Sequence, residues 1–212
     1  NEDFEVGSQL TAIAGQNGTQ KSTLLGIVTQ TFTLKPEDPM RAEKPLCGGS
    51  YISAFKDKFR LSPIFDRPKG HEWTISFDIG VDDFTVESIK RTGDPNVRFW
   101  KKGARQEGDG YISFPTIFLS LKRLVPMADT LLTPEELSEF KQLHNKILIV
   151  QTPISSATTI TSKNKQSIGV STELYDWNQN SMGQDNLGKI ILALFSFKRL
   201  HDKYPQQYKG GI

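Results

Sequence analysis

The chain has 212 residues, 36% of them hydrophobic and 24% charged, enough to bury a sizeable core as one large domain or two lobes and too much for a disordered chain. Its formal net charge is +2 and its pI about 8.6, which leaves no global electrostatic footprint for nucleic acid, so any such contact must come from a local patch. The single cysteine, Cys47, excludes an internal disulfide framework and fits a reducing, cytoplasmic setting, while the longest apolar run, residues 190–197 (IILALFSF), is far short of a membrane span and the acidic start NEDFEV is no signal peptide.

In chain order, the first organised stretch is residues 10–14 (LTAIA), short, apolar and β-prone, which predicts a strand. Residues 15–23 (GQNGTQKST) follow, and from Lys21 onward Leu24, Leu25, Ile27, Val28 and Phe32 fall at helical spacing, which predicts a helix over 21–32. Strand, glycine-rich loop and helix form the setting of a phosphate-binding loop of the type G-x-x-x-x-G-K-[ST], from which this sequence departs at Gln20. In that setting the N–H groups of residues 16–22 wrap a phosphate, and the helix N-terminus adds the positive end of its dipole. Lys21 neutralises the phosphate charge, the Ser22 hydroxyl ligates magnesium, and Gly15 and Gly18 allow close backbone approach. The candidate ATP-phosphate set is therefore Gly15, Gln16, Asn17, Gly18, Thr19, Gln20, Lys21, Ser22 and Thr23. The competing reading is an incidental glycine-rich turn capped by serine or threonine. Gln20 is tolerable either at negative φ, its side chain pointing outward, or at positive φ for about 1–2 kcal/mol.

Residues 73–79 and 84–90 read as strands, 92–96 (TGDPN) as a turn and 97–101 as the returning strand, an antiparallel layer. Lys90, Arg91, Arg98, Lys101, Lys102 and Arg105, with Phe99 and Trp100 interleaved, make it a basic hairpin. Such a hairpin either grips phosphate and stacks a base or is simply a solvated face with a half-buried tryptophan. Residues 111–124 predict another strand entering a turn. Residues 132–148 predict a helix with Thr133 as N-cap, Pro134 at its first position and Glu136 closing a capping box. A polar stretch, 155–167, then leads through a further strand to residues 180–186 (NSMGQDN), which open a helix carrying Leu187, Ile190, Ile191, Leu194, Phe195 and Phe197 and ending in cations, Lys198, Arg199, His201 and Lys203. Ser181 and Gln184 satisfy a capping box by themselves. His71, His144, His201 and Cys47 have no metal-ligand or nucleophile pattern and read as packing or surface residues.

Taken together, the loop at 15–23 and the stretch Ser181, Met182, Gly183, Gln184 resemble the Walker A loop and the S-G-G-Q-type signature of ABC-class ATPases. Stretches such as TIFLSLKRLVPMAD resemble bacterial AAA-family ATPases of the SMC-like or overcoming-lysogenization-defect-like kind over nearly the whole chain. The resemblance implies an α/β P-loop NTPase fold with an antiparallel β subdomain and a helical signature lobe. The phosphate-loop and β portion would span 1–130, the helical and signature portion 131–203, and the approach to the Walker B strand 204–212. It also implies ATP and Mg2+ as cofactors and a head-to-tail homodimer in which Ser181 to Gln184 cap, in trans, the γ-phosphate held by the other subunit, Met182 replacing the middle glycine. No Walker B Asp-Glu pair occurs in the sequence, so the catalytic carboxylates are expected after Ile212, and the 212 residues are expected to be inactive on their own. The implied function is an ATPase that powers or gates a DNA-repair or phage-defence assembly, with a nuclease or other effector subunit, nucleic acid as a candidate partner, and no membrane. The alternatives are a non-hydrolysing ATP-gated interaction module and a transporter nucleotide domain.

Overall fold

The computed structural model describes residues 4–7, 9–17, 19–52, 55–59, 61–62, 64–78, 83–90, 92–94, 96–103, 111–119, 127–128, 132–148, 153–162, 165–174, 176 and 181–212, and these form a mixed α/β arrangement with small sheets. Helix α1 (Lys21–Gln30) is followed at once by strand β1 (Phe32–Thr33). The helix expected over 21–32 stops short because Phe32 is drawn into parallel pairing with Ile112 and packs edge-on against Phe77 and Phe114, with ring centroids 6.3 and 6.0 Å away. Helix α2 (Phe55–Lys58) lies against α1. That approach depends on Gly26, where an added Cβ would sit 3.0 Å from the Phe59 ring.

Strands β2 (Glu72–Ile75), β3 (Phe84–Lys90) and β4 (Val97–Lys101) form an antiparallel sheet in the order β2-β3-β4, the layer that the alternation predicted. The expected strand 73–79 pairs only through Ile75, and its far end lies outside the described residues. Phe84, Val86, Val97 and Phe99 point inward by the period of two and close a core with Phe59. Phe99 is its centre, edge-on to both Trp73 at 4.6 Å and Phe59 at 4.7 Å.

Strand β5 (Ile112–Ser113) pairs in parallel with β1 and is all that appears of the strand expected over 111–124; residues 114–119 are irregular and 120–126 lie outside the described residues. Pro115 interrupts the run, since it has no N–H to give a ladder. Instead the chain meets its own last residue. Ile212 N–H donates to Pro115 O (3.0 Å) and Ile117 N–H donates to Ile212 O (2.7 Å), the slanted pattern of a parallel bridge. Gly211 has to be glycine there, because a Cβ would lie 2.4 Å from the Phe197 ring.

Strands β6 (Met127–Ala128), β7 (Ser156–Ser162) and β8 (Lys165–Ser171) make a third, antiparallel sheet ordered β6-β8-β7. The polar stretch 155–167 is thus a hairpin rather than a connector, carried by β-branched threonine and isoleucine.

Helices α3 (Pro134–Ile147) and α4 (Met182–Lys203) pack against each other, both opened by complete capping boxes, at Thr133 with Glu136 and at Ser181 with Gln184. Phe140, Ile191 and Leu192 are fully buried between them and join Leu46, Ile154 and Val170 in the largest core. Asn145 clamps the end of α3 to the approach to β7, accepting from Ile154 N–H (2.8 Å) and donating to Ile154 O (3.1 Å). Further along α4, Ser196 accepts from Leu46 N–H (2.8 Å), and its carbonyl accepts the Tyr51 hydroxyl (2.9 Å), which ties in a second core of Leu34, Met40, Tyr51 and Leu200. Among the described residues no helix is long and apolar enough to cross a membrane.

Glu136 does two things at once, taking the Thr133 N–H (2.9 Å) and a forked contact from Arg199, Nε to Oε1 at 2.7 Å and Nη2 to Oε2 at 2.5 Å. Burial works against its ionisation, but Arg199 and the Thr133 amide outweigh it and hold the carboxyl below its usual 4.5. A lowered folded value means that the stabilisation is present above the ordinary carboxylate range and is lost as pH falls through the folded value. Glu136→Gln is expected to cost about 1 kcal/mol in urea titrations at pH 7. The gap from wild type should close as the pH drops below the carboxylate range; a gap independent of pH would show that the tie is not ionic.

Candidate functional site

The loop ahead of α1 is assembled by a lysine reaching backward. Lys21 stands at the first position of α1, and its Nζ donates to Gly15 O (2.8 Å) and Gln16 O (2.5 Å) and touches Thr19 Oγ1 (3.5 Å). Thr19 closes the same curve through its hydroxyl, which donates to Gln16 O at 2.8 Å. Gly15 is needed for the closeness of the turn, since a Cβ there would meet Thr19 Oγ1 at 3.0 Å. Gly18 lies outside the described residues. Gln16, Asn17, Thr19, Gln20, Ser22 and Thr23 are all solvent-exposed.

Gln20, where the phosphate-loop pattern asks for glycine, adopts φ 59° and ψ 22°, the left-handed region. Of the two conformations allowed for it, the chain uses the strained one. No side chain caps α1, and no acidic residue occupies its first turn. Its leading amides therefore lack intrahelical acceptors, and the dipole end is open.

Residues 10–14 do not form the strand expected ahead of the loop. They carry no ladder, and Leu10 is 86% exposed. The pattern is β-like, but no neighbouring strand lies beside it among the described residues, and an extended segment becomes a strand only by pairing.

At the second motif, Ser181 Oγ accepts from Gln184 N–H (3.3 Å) and Gln184 Oε1 accepts from Ser181 N–H (2.8 Å). Gln184 is turned into the protein, its carbonyl 3.4 Å from His144 Nε2. Ser181 and Gly183 remain exposed, and among the described residues an added Cβ at Gly183 would meet only Ser181 Oγ at 3.8 Å, so none of them requires glycine there. The Met182 side chain is outside the described residues. The two motifs sit in different packing units, α1 on α2 and β1, α4 on α3.

The basic hairpin is dispersed by the strand pleat. Lys101 lies over the Phe84 ring at 5.4 Å, Lys102 pairs with Glu72 at 3.1 Å, Arg98 pairs with Asp94 at 2.9 Å, and Lys90 is exposed at the end of β3. Phe99 is buried in the core and cannot stack a base, while Trp100 is half-buried. Arg91 and Arg105 lie outside the described residues. Among the described residues the cations of the hairpin therefore do not share one face; Arg98 and Trp100 turn toward a cleft shared with Lys35, Arg41 and Lys58, a grouping that sequence spacing gave no sign of.

His144 is buried in the packing against α4, and that burial pushes its pKa below the usual 6.5. His71 and His201 do face carboxylates, Asp66 and the adjacent Asp202, each at 3.3 Å. Among the described residues no group of three or more potential ligands gathers to hold a metal ion. Cys47 is buried in the largest core. Comparisons with protein-family models, with curated proteins and with solved structures return no match to the chain.

If the left-handed turn at Gln20 is the source of strain, Gln20→Gly should raise stability by roughly 0.5–1 kcal/mol, the relief of about 1–2 kcal/mol less the extra chain entropy of glycine. Gln20→Val should lower it. Chemical denaturation checks both, and a destabilised Gln20→Gly would mean that the loop does not turn at this residue.

Proposed function

We propose that residues 15–23 bind the phosphates of ATP with magnesium, and that the chain is the ATP-binding part of an ABC- and SMC-like ATPase of the P-loop class. The observation that carries this reading is Lys21, folded back onto the carbonyls of Gly15 and Gln16 beside the uncapped start of α1. Its ammonium is held where a phosphate would sit, on weak neutral acceptors that an anion readily replaces, since contacts between ionised partners are about twice as strong. The open amides of the first turn of α1 add donors to the same place. The exposed hydroxyls of Ser22 and Thr23 suit a hard cation that prefers oxygen. Bound magnesium would supply charge neutralisation between phosphate oxygens.

Gly183 supports the dimeric part of the reading. A glycine that is exposed among the described residues, at the start of a capped helix, leaves the backbone open to a γ-phosphate from a second subunit. The parallel bridge at Ile212 is consistent with the chain running there along a parallel strand edge. On the resemblance alone, the engine would drive or license a nuclease or other effector in a DNA-repair or phage-defence setting.

In calorimetric titrations with magnesium and ATP, Lys21→Ala is expected to abolish measurable binding while leaving the melting temperature near that of wild type; unchanged affinity would remove the assignment. Ser181→Arg should bind ATP normally yet lose ATP-dependent dimerisation in light scattering. If the stretch serves only as a helix cap, the same variant would lose about 0.5–2 kcal/mol of stability and assemble as before.

A further inference from the structure

The cleft that takes up Arg98 and Trp100 lies at the opposite end of α1 from the phosphate loop, roughly 15 Å away along a ten-residue helix. It has a volume of about 350 Å³, at the small end of the range for ligand sites and of the order of one nucleotide. Among the described residues Lys35, Arg41, Lys58 and Arg98 line it, and no acidic side chain does. They come from four separate segments, so their convergence is a product of the fold. Arg41 is fixed by donating to Leu34 O at 3.0 Å, and Arg98 is steadied by Asp94 from outside the cleft. Charges of one sign around a concave, partly apolar wall focus a field that attracts anions.

Two further features give the anion a shape. Trp100 and Tyr111 present aromatic surface to the same space, which suits stacking of a planar base. Gln30, also in the wall, is 9% exposed, and its Oε1 is buried without a hydrogen-bond partner while its Nε2 donates to the Tyr111 hydroxyl at 3.4 Å. A buried acceptor left unpaired is costly. That oxygen is closed off from the cleft, so the Gln30 amide shapes the wall and orients Tyr111 without facing a ligand itself.

We infer that this cleft is a second nucleotide-recognition site, distinct from the phosphate loop, taking a phosphate-bearing nucleobase either as a free nucleoside monophosphate or as one unit of a single strand. The assignment stands independently of the ATP reading. Phosphate is held by Lys35, Lys58 and Arg98, and the base stacks on Trp100.

The probes are a fluorescein-labelled 15-residue oligodeoxycytidylate, read by anisotropy, and cytidine and adenosine monophosphates, read by calorimetry. Wild type and Lys21→Ala are expected to bind at least one of them equally well, with affinity falling as salt rises. Lys35→Glu combined with Arg98→Glu should weaken binding by at least tenfold, and Trp100→Leu by about fivefold or more, the loss of one stacked base. Lys35→Ala, which alters only an exposed side chain, should weaken it by a smaller factor and guards against a misfolded double variant. Lys90→Glu, outside the cleft, should leave it unchanged. Binding of the oligonucleotide alone identifies a strand as the occupant, and binding of a monophosphate identifies free nucleotide; either supports the site. No binding of any probe at millimolar concentration overturns it. So does loss of binding in Lys21→Ala, which would place the probe on the phosphate loop, or equal weakening by Lys90→Glu, which would reduce the effect to surface charge.

Discussion

The burial of α4 is the constraint on which two of the three cores depend. Its apolar stripe supplies Leu187, Ile191, Leu192, Ala193 and Phe195 to one core and Leu200 to another, and Phe197 packs against the second. The polar groups that accompany this stripe tie in distant segments one by one. Ser196 receives Leu46 and Tyr51, Arg199 holds Glu136 of α3, and Lys203 meets Glu43 at 2.7 Å. Burial makes the Tyr51 hydroxyl reluctant to ionise, so it remains a donor to the helix carbonyl throughout the ordinary pH range. A helix fixed at this many points positions its own N-terminus rigidly, and Ser181 and Gly183 are carried with it to an exposed place.

The loop at 15–23 is built on the opposite plan. It is exposed, and its closure rests on one lysine and one threonine satisfying carbonyls, together with a left-handed glutamine. Such a loop contributes little to stability and stores a small strain, which is how binding loops differ from the scaffold that carries them. The strain at Gln20 and the ammonium on neutral acceptors both make sense if a more strongly charged partner completes the loop. Gln20 also shows why a motif match is better judged by backbone demand than by residue identity: the position keeps the conformation glycine would have there, at a cost glycine would avoid.

What could be read from the sequence were the features set by neighbours a few residues apart. The two capping boxes depend on a residue and its third successor, and both are present as expected, at Thr133 and Ser181. The hairpin of β3 and β4 follows from alternation and the TGDPN turn. The strand hairpin at 156–171 escaped because its side chains are mostly polar, so hydrophobic period carried no signal and only β-branching did. Residues 10–14 failed in the other direction: a β-like pattern states a readiness to pair and says nothing of whether a neighbour is there. The cationic cleft was hidden for a third reason. Lys35 and Arg41 are near neighbours in the chain but Lys58 and Arg98 are distant from them, and their meeting is made by α1 packing on α2 at Gly26 and by β1 pairing with β5.

The central claim is that the loop around Lys21 is a preformed seat for phosphate. Amide hydrogen exchange of residues 15–24, followed by mass spectrometry with and without magnesium and ATP, tests it most directly. The account expects exchange to slow in the loop and the first turn of α1 when nucleotide saturates, with the sheet β2-β3-β4 unaffected. Exchange in the loop that is the same with and without saturating nucleotide would contradict it.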